Sequence, residues 1–504
     1  MNGIRNLVVT FSGAILFTFL FYNESVALNI LLFHVFVLGV YFYTKRIDFH
    51  NKLQLLTFAG SSISALLIVI YNTDYSVFLY ILSIFLFVGV SSYQRARSLY
   101  FGIAIAFDAF FRAQFSFLES FSSIGGKSVS KKLFKIIKII FIPLIIIYLF
   151  VVLYSSSNPV FDKYLQKIGL FMNKIFGNFF ENLNIGLIFT FILGIILAAY
   201  LFLSKGNNLL VESELRQNEN LTRKRKRSTL SFSNISLKYE YRAGIFLFSC
   251  LNILLLVVNV IDINWVWFGF EWNGNYLKQF VHEGTYLLIL SIVISMAITI
   301  YFFRANLNFF TKNKPLKALA YTWLAQNAVL TLSVAIRNIW YIKYFALAYK
   351  RIAVFFFLLL VLYGIFTIIL KIRQQKSVFF LLSRNTLAVY IVLLFSSFFN
   401  WDNIIARYNF KNSDSAFLHL NFMATLSNKT LPLLDKNLEE LQLIEQQQNK
   451  LFSFEEQFLT TQEYFNTIEQ RKIDFKNDWE NKSWISWNYA DYKAYNYLFG
   501  KNNP

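Results

Sequence analysis

Apolar residues come in blocks of about twenty along most of this chain, with short polar clusters between them. A helix of that length spans the ~30 Å hydrocarbon core of a bilayer. Blocks lie near 6–22, 25–43, 53–71, 75–93, 135–155, 184–203, 243–261, 284–303, 318–336, 352–370 and 377–399. In lipid, the backbone's polar groups are satisfied only within a helix or a closed barrel. The pattern therefore predicts an all-α polytopic transmembrane helical bundle of about eleven spans.

The block 98–118, "SLYFGIAIAFDAFFRAQFSFL", is ambiguous. It carries Asp108 and Arg112 one helical turn apart, able to pair. Charge decides its placement. With the N-terminus inside and 98–118 lying at the interface or re-entrant, most loop Lys and Arg fall on one side. They include Lys45, Arg46, Arg95, Arg97, Lys131, Lys132, the run Arg223 to Arg227, Lys312, Lys314, Lys371 and Arg373. Letting the block cross would export "RKRKR", against the positive-inside rule. Eleven crossings then place the C-terminus outside. The basic loop 204–242 reads as a topogenic anchor against anionic headgroups.

After about 401 the pattern changes to helices with alternating charge. Leu434, Leu438, Leu441 and Ile444 form one stripe, Pro432 sits at a helix start, and a second helix is predicted over 453–480. The expected division is 1–240, membrane helices with basic loops; 241–400, a membrane core; and 401–504, an extracytoplasmic helical tail.

Composition agrees. The chain is 56% hydrophobic, and its 59 Phe suit helix packing and lipid contact. The net charge of +20 is uneven: the tail from Trp401 holds 11 Lys+Arg against 14 Asp+Glu, so the excess lies in the membrane part. The positive-inside rule and anionic lipid account for it; nucleic acid is not an expected partner. The single Cys250 excludes an intrachain disulfide. The start, with Arg5 before an apolar run and no convincing cleavage site, reads as an uncleaved first helix.

Polar residues inside apolar blocks point towards function, because each is costly unless paired or facing water. Gln326 and Asn327 sit mid-span and are expected to join helices by hydrogen bonds. Arg384, one to two turns into the last span, is positioned to snorkel. His34 reads as a hydrogen-bonded packing residue. The connection "RNIWYIKYFALAYKR" breaks the charge rule, placing Arg337, Lys343, Lys350 and Arg351 on the outer side. The connection "DINWVWFGFEWNGNYLKQFVHEG" on the same side supplies Asp262, Glu271, His282 and Glu283, with Trp265, Trp267 and Trp272 as interface anchors. The two connections are expected to form one outer polar cluster, Asp262, Glu271, His282, Glu283, Arg337, Tyr341 and Arg351, with the arginines held near the acids.

This region resembles a family of bacterial polytopic membrane proteins known only as a domain of unknown function, of the four-one-seven-three or four-one-five-three type. Asn259, Asp262, His282, Glu283, Gly284, Arg337, Tyr341, Ile342 and Arg351 match its pattern. The family's Gly-Leu-Thr is Ala346-Leu347-Ala348 here. The resemblance covers roughly 240–430, including "NWDNIIARYN" after the last span, and implies no activity.

Other chemistry is not supported. "HEGTY" lacks the second His of a zinc helix, and the chain has only four His, so no metal is expected. "SSIGGKS" is not a phosphate-binding loop, and no cofactor is implied. Transporters break helices at mid-membrane with Gly and Pro; only Pro143 lies within a span. The sequence thus leans away from an enzyme. It points to a bacterial inner-membrane scaffold, sensor or envelope-assembly factor, whose partners are the bilayer, anionic headgroups and an envelope protein. The alternative is an enzyme or transporter for an anionic lipid-linked substrate at the outer face.

Overall fold

The computed structural model describes residues 2–93, 96–122, parts of 147–168, 184–223, 232–268, 274–452 and 459–500. The described residues are helical, with no β-strand beyond one isolated bridge between Asn220 and Lys376. Among the described residues, ten helices are long and apolar enough to cross a membrane. Nine coincide with predicted blocks and the tenth is Leu99–Ser120. The block 25–43 forms the shorter helix Leu28–Tyr43, and 135–155 falls largely outside the described residues. The protein is an all-α polytopic membrane protein.

Contacts divide the chain into two compact units. The first comprises Met1–Arg97, Phe101–Glu212 and Ser483–Asn488; the second comprises Ser98–Tyr100, Ser213–Lys482 and Tyr489–Pro504. Most of the tail therefore packs with the helices that follow residue 213 rather than apart from them.

The first unit holds α1 (Asn2–Phe21), α2 (Leu28–Tyr43), α3 (Lys52–Tyr71), α4 (Asp74–Ser92), all but the first two residues of α5 (Leu99–Ser122), α6 (Ile185–Leu203) and the first part of the short α7 (Asn208–Leu215). Phe17, Phe33, Tyr41, Phe87 and Phe202 fill its core. Most polar atoms there find partners, as a low-dielectric interior requires. Tyr41 donates to the Leu201 carbonyl at 2.6 Å, and Tyr200 to that of Phe85 at 2.7 Å. His34 lies between Ser62 and Tyr80, at 3.2 and 3.5 Å. Gln54 holds the α2–α3 turn through the Arg46 carbonyl and reaches Ser91 on α4. The segment Ser483–Asn488 seats on the α1–α2 turn: Ser486 donates to Glu24 at 2.6 Å, and the Leu28 amide to the Trp487 carbonyl at 3.2 Å.

Helix α5 is long enough to cross, and it touches several of the described helices. It meets α4 where Ala106 touches Gly89, α6 where Gln114 donates to the Ile196 carbonyl at 3.1 Å, and α1 where Asn6 donates to Ser120 at 3.2 Å. Asp108 and Arg112 pair at 2.7 Å, and Asn207 also donates to Asp108.

In the second unit α8 (Phe232–Asp262) passes into a π-helical turn, Ile263–Phe268. It is followed by α9 (Gly274–Phe302), α10 (Lys314–Phe345), α11 (Tyr349–Gln374), α12 (Val378–Ser396) and α13 (Trp401–Lys411). Successive helices alternate in direction. The end of α8, the start of α9 and the end of α10 meet at Asp262, Gly284 and Arg337. At the opposite end the fully buried Lys371 of α11 donates to the Phe303 carbonyl at 2.6 Å, a cation placed at the C-terminus of α9.

The tail continues with α14 (Leu438–Leu451), α15 (Thr461–Glu480) and α16 (Tyr489–Phe499). Its predicted leucine stripe is broken: Leu431–Leu434 is a separate turn begun by Pro432, and the chain leaves helical geometry at Asp435–Asn437 before α14. Residues 453–458 of the predicted second helix lie outside the described residues, and α15 begins at Thr461. A capping box opens α15, and the Thr460 amide and hydroxyl hold the Glu463 carboxyl below its usual range. The buried Gln448 ties three backbone groups between Ser413 and Leu418, and Arg471 donates to the Ala424 and Leu426 carbonyls.

A side chain added at Gly89 would put Cβ 2.4 Å from Ala106 Cβ and 2.6 Å from its Cα, whereas at Gly39 it would meet nothing within 4 Å. Gly89→Ala is expected to lower the thermal midpoint of the detergent-solubilised protein, costing about 1–3 kcal/mol. Gly39→Ala, inside α2, is expected to leave it unchanged or raise it slightly. Equal midpoints for the two variants would show that α5 does not press on α4.

Candidate functional site

Helices α8 and α10 run parallel, and their seam carries polar rungs at seven-residue spacing. Asn252 and Asn259 lie on α8; Leu319, Gln326, Ser333 and Trp340 lie on α10. Seven residues is the repeat that keeps two helices in contact along a left-handed seam. Asn252 donates to the Leu319 carbonyl at 3.0 Å and accepts from Gln326 at 2.9 Å. Asn259 donates to the Gln326 carbonyl at 3.1 Å. Beyond it, Ser333 donates to Asp262 at 2.7 Å, Trp267 approaches Ser333 at 3.4 Å, and Trp340 donates to the Val266 carbonyl at 3.0 Å.

The seam ends in an ion pair. The Arg337 guanidinium donates to Asp262 Oδ1, and the two side chains are only 6% and 7% exposed. The pairing follows from helical spacing: Asp262 lies three residues after Asn259 on the face of α8 that meets α10, level with Arg337 near the end of that helix. Helix α9 comes close on the other side, where a Cβ at Gly284 would lie 3.8 Å from Arg337 Nη1.

Arg351 meets no acid among the described residues. Its Nη1 donates to the Phe345 and Ala346 carbonyls, closing the C-terminus of α10, and its guanidinium lies 4.3 Å from the Tyr341 ring centroid. Tyr341 therefore serves as a cation–π shelf. The α10–α11 turn has Ala346 at φ 63°, ψ −170°, a region open to glycine and costly for other residues.

The tail locks this turn from above. Asn409 on α13 accepts from the Leu347 amide at 2.7 Å and donates to its carbonyl at 3.0 Å. The Phe417 amide donates to the Tyr344 carbonyl at 2.8 Å. Asp402, buried at the start of α13, accepts from Tyr349 and from Ser427.

Of the residues expected in one cluster, the structure joins Asp262 with Arg337 and, separately, Tyr341 with Arg351. Glu271 and Trp272 lie outside the described residues, as do the side chains of His282 and Glu283 on the first turns of α9. Gln326 joins α10 to α8 through Asn252 and Asn259. The Asn327 amide donates at 2.8 Å to the Trp323 carbonyl of its own helix. Arg384 sits half-exposed at the opposite end of the unit, 3.8 Å from Glu219 and over Phe380. Among the described residues no group of His, Cys, Asp and Glu is arranged to hold a metal. Asn252, Ser333, Asp402 and Asn409 were not singled out in the sequence. The first two were readable as heptad partners of Asn259 and Gln326, and the last two lie in "NWDNIIARYN".

The model of a domain of unknown function, DUF4153, matches residues 30–437. The chain belongs to this family. The DUF4153 match is wider than the resemblance, which began near 240, and takes in α2 to α6 as well as the seam, the α10–α11 turn and α13. Helices α14 to α16 follow its end. Neither a curated protein nor a solved structure matches the chain.

Removing one member of a buried pair leaves the other charge uncompensated. Arg337→Ala is therefore expected to cost about 3–5 kcal/mol, and Asp262→Ala a similar amount. Their effects on the thermal midpoint should be strongly non-additive; additive losses would mean the pair does not form. Ala346→Gly is expected to raise stability by about 1 kcal/mol by relieving the strained turn. A lower midpoint for Ala346→Gly would rule out the positive-φ turn.

Proposed function

We propose that this DUF4153 protein is a non-enzymatic scaffold of the bacterial inner membrane, working in envelope assembly or sensing. The observation that carries the reading is where the described charges at the α10–α11 end go. Arg337 is held by Asp262, Arg351 by backbone carbonyls and Asp402 by two hydroxyls. Each contact joins one part of the unit to another. Asp262 and Asp402 do lie beside hydroxyls, those of Ser333 and Ser427, but the other oxygen of each carboxylate is taken too, by Arg337 and by Tyr349, which suits a structural joint better than a general base. The same contacts make a rigid platform that carries the helical tail, the natural place for an envelope partner.

A charge-swapped pair distinguishes structure from chemistry. In cells deleted for the gene, Arg337→Asp combined with Asp262→Arg is expected to recover protein level and rescue the deletion phenotype better than either single change. Rescue failing at full protein level would favour the enzyme or transporter reading.

The proposed orientation puts the N-terminus inside and the tail outside, with α5 at the inner interface. The loop charge bias supports it. A reporter fused after Phe499 is expected to be active only if it requires export. Cysteines at Ala104 and Glu119, both exposed on α5, are expected to react with an impermeant reagent from the same side. Opposite sidedness would make α5 a crossing helix and move the tail inside.

A further inference from the structure

Helix α1 has 20 residues and measures about 30 Å, so its two ends lie at the two boundaries of the hydrocarbon core. Residues 22–27 join its C-terminal end to α2 and include Glu24. A carboxylate is costly in hydrocarbon, so Glu24 marks the headgroup layer. Tyr22 follows α1 and Tyr71 closes α3 at this same end, where Phe21, Val26, Ile30, Ile68 and Val77 share a small core. Tyrosines at the ends of spans suit that layer.

The segment Ser483–Asn488, from the far end of the chain, is laid on this turn. Ser483 donates to Glu24, Ser486 donates to Glu24 at 2.6 Å, and the Leu28 amide donates to the Trp487 carbonyl. Trp484 stands in sequence between those two serines. Adjacent Cα atoms are ~3.8 Å apart, so Trp484 cannot lie far from the level of Glu24. Ile485 and Ser486 beside it are buried, yet Trp484 is 69% exposed, and its indole N–H has no hydrogen-bond partner among the described residues. Both Glu24 and Ser483–Asn488 lie outside the DUF4153 match.

We propose that Ser483–Asn488 is an interfacial anchor, with Trp484 inserted into the lipid headgroup layer beside the α1–α2 turn. There the apolar body of the indole meets the upper acyl chains, and its N–H finds the water or ester oxygen that the protein does not supply. The C-terminal region is thereby fastened to the bilayer as well as to the turn. Either orientation of the chain leaves this arrangement intact, because a headgroup layer lies at both ends of α1.

The full chain is reconstituted in phosphatidylcholine nanodiscs, and the fluorescence of Trp484 is taken as the difference between wild type and Trp484→Phe. The exposed Trp484→Phe change is expected to leave the thermal midpoint unchanged. Lipids brominated near the carbonyl end of the acyl chain are expected to quench the difference signal about twofold more than lipids brominated near the methyl end. Glu24→Ala removes the acceptor that seats both serines, while Asn29 still ties the turn through the Leu20 and Ser25 carbonyls. Ser483→Ala combined with Ser486→Ala loosens the same seat without touching the turn. Both sets of substitutions are expected to lower quenching from the carbonyl end about twofold. A difference signal quenched by aqueous iodide and by neither brominated lipid puts Trp484 in water, open to a protein partner, and overturns the proposal. Strongest quenching from the methyl end, or quenching indifferent to both sets of substitutions, overturns it as well.

Discussion

The second unit is organised around one buried charge. Arg337 cannot be left alone in a low-dielectric interior, and Asp262 answers it from the end of α8. Such a pair contributes little net stability against an apolar replacement, because desolvation offsets most of the attraction. What it adds is register: one rotation and one translation of α8 on α10 bring these groups together. The heptad rungs below it, Asn252 with Gln326 and Asn259 with the Gln326 carbonyl, agree with that register. The termination of α8 in a π-helical turn follows directly after the pair, where the chain redirects Val266 and Trp267 towards α10.

The turn above the pair depends on the same logic of satisfying polar groups. The C-terminal carbonyls of α10 are closed by Arg351, the Leu347 peptide by Asn409, and the Tyr344 carbonyl by the Phe417 amide. These contacts make α13 and the loop after it part of the membrane unit, and Leu347 and Ile352 share a core with the tail leucines.

The amino-acid sequence alone determined the class of protein and the positions of most spans. Hydrophobicity is summed locally, so twenty apolar residues announce a span whatever surrounds them, and the pairing of Asp108 with Arg112 follows from helical spacing. The need of Arg337 for a partner was equally legible, since an out-of-place charge in an apolar chain demands one. Tertiary structure alone decided the partners. Arg337 took Asp262, while Arg351, on the same connection, took carbonyls and Tyr341. Gln326 crossed the seam and its neighbour Asn327 turned to its own helix. Each of those choices depends on how a helix is rotated about its axis and where a turn ends, and these are set by the packing of many side chains at once. No single stretch of sequence carries that information.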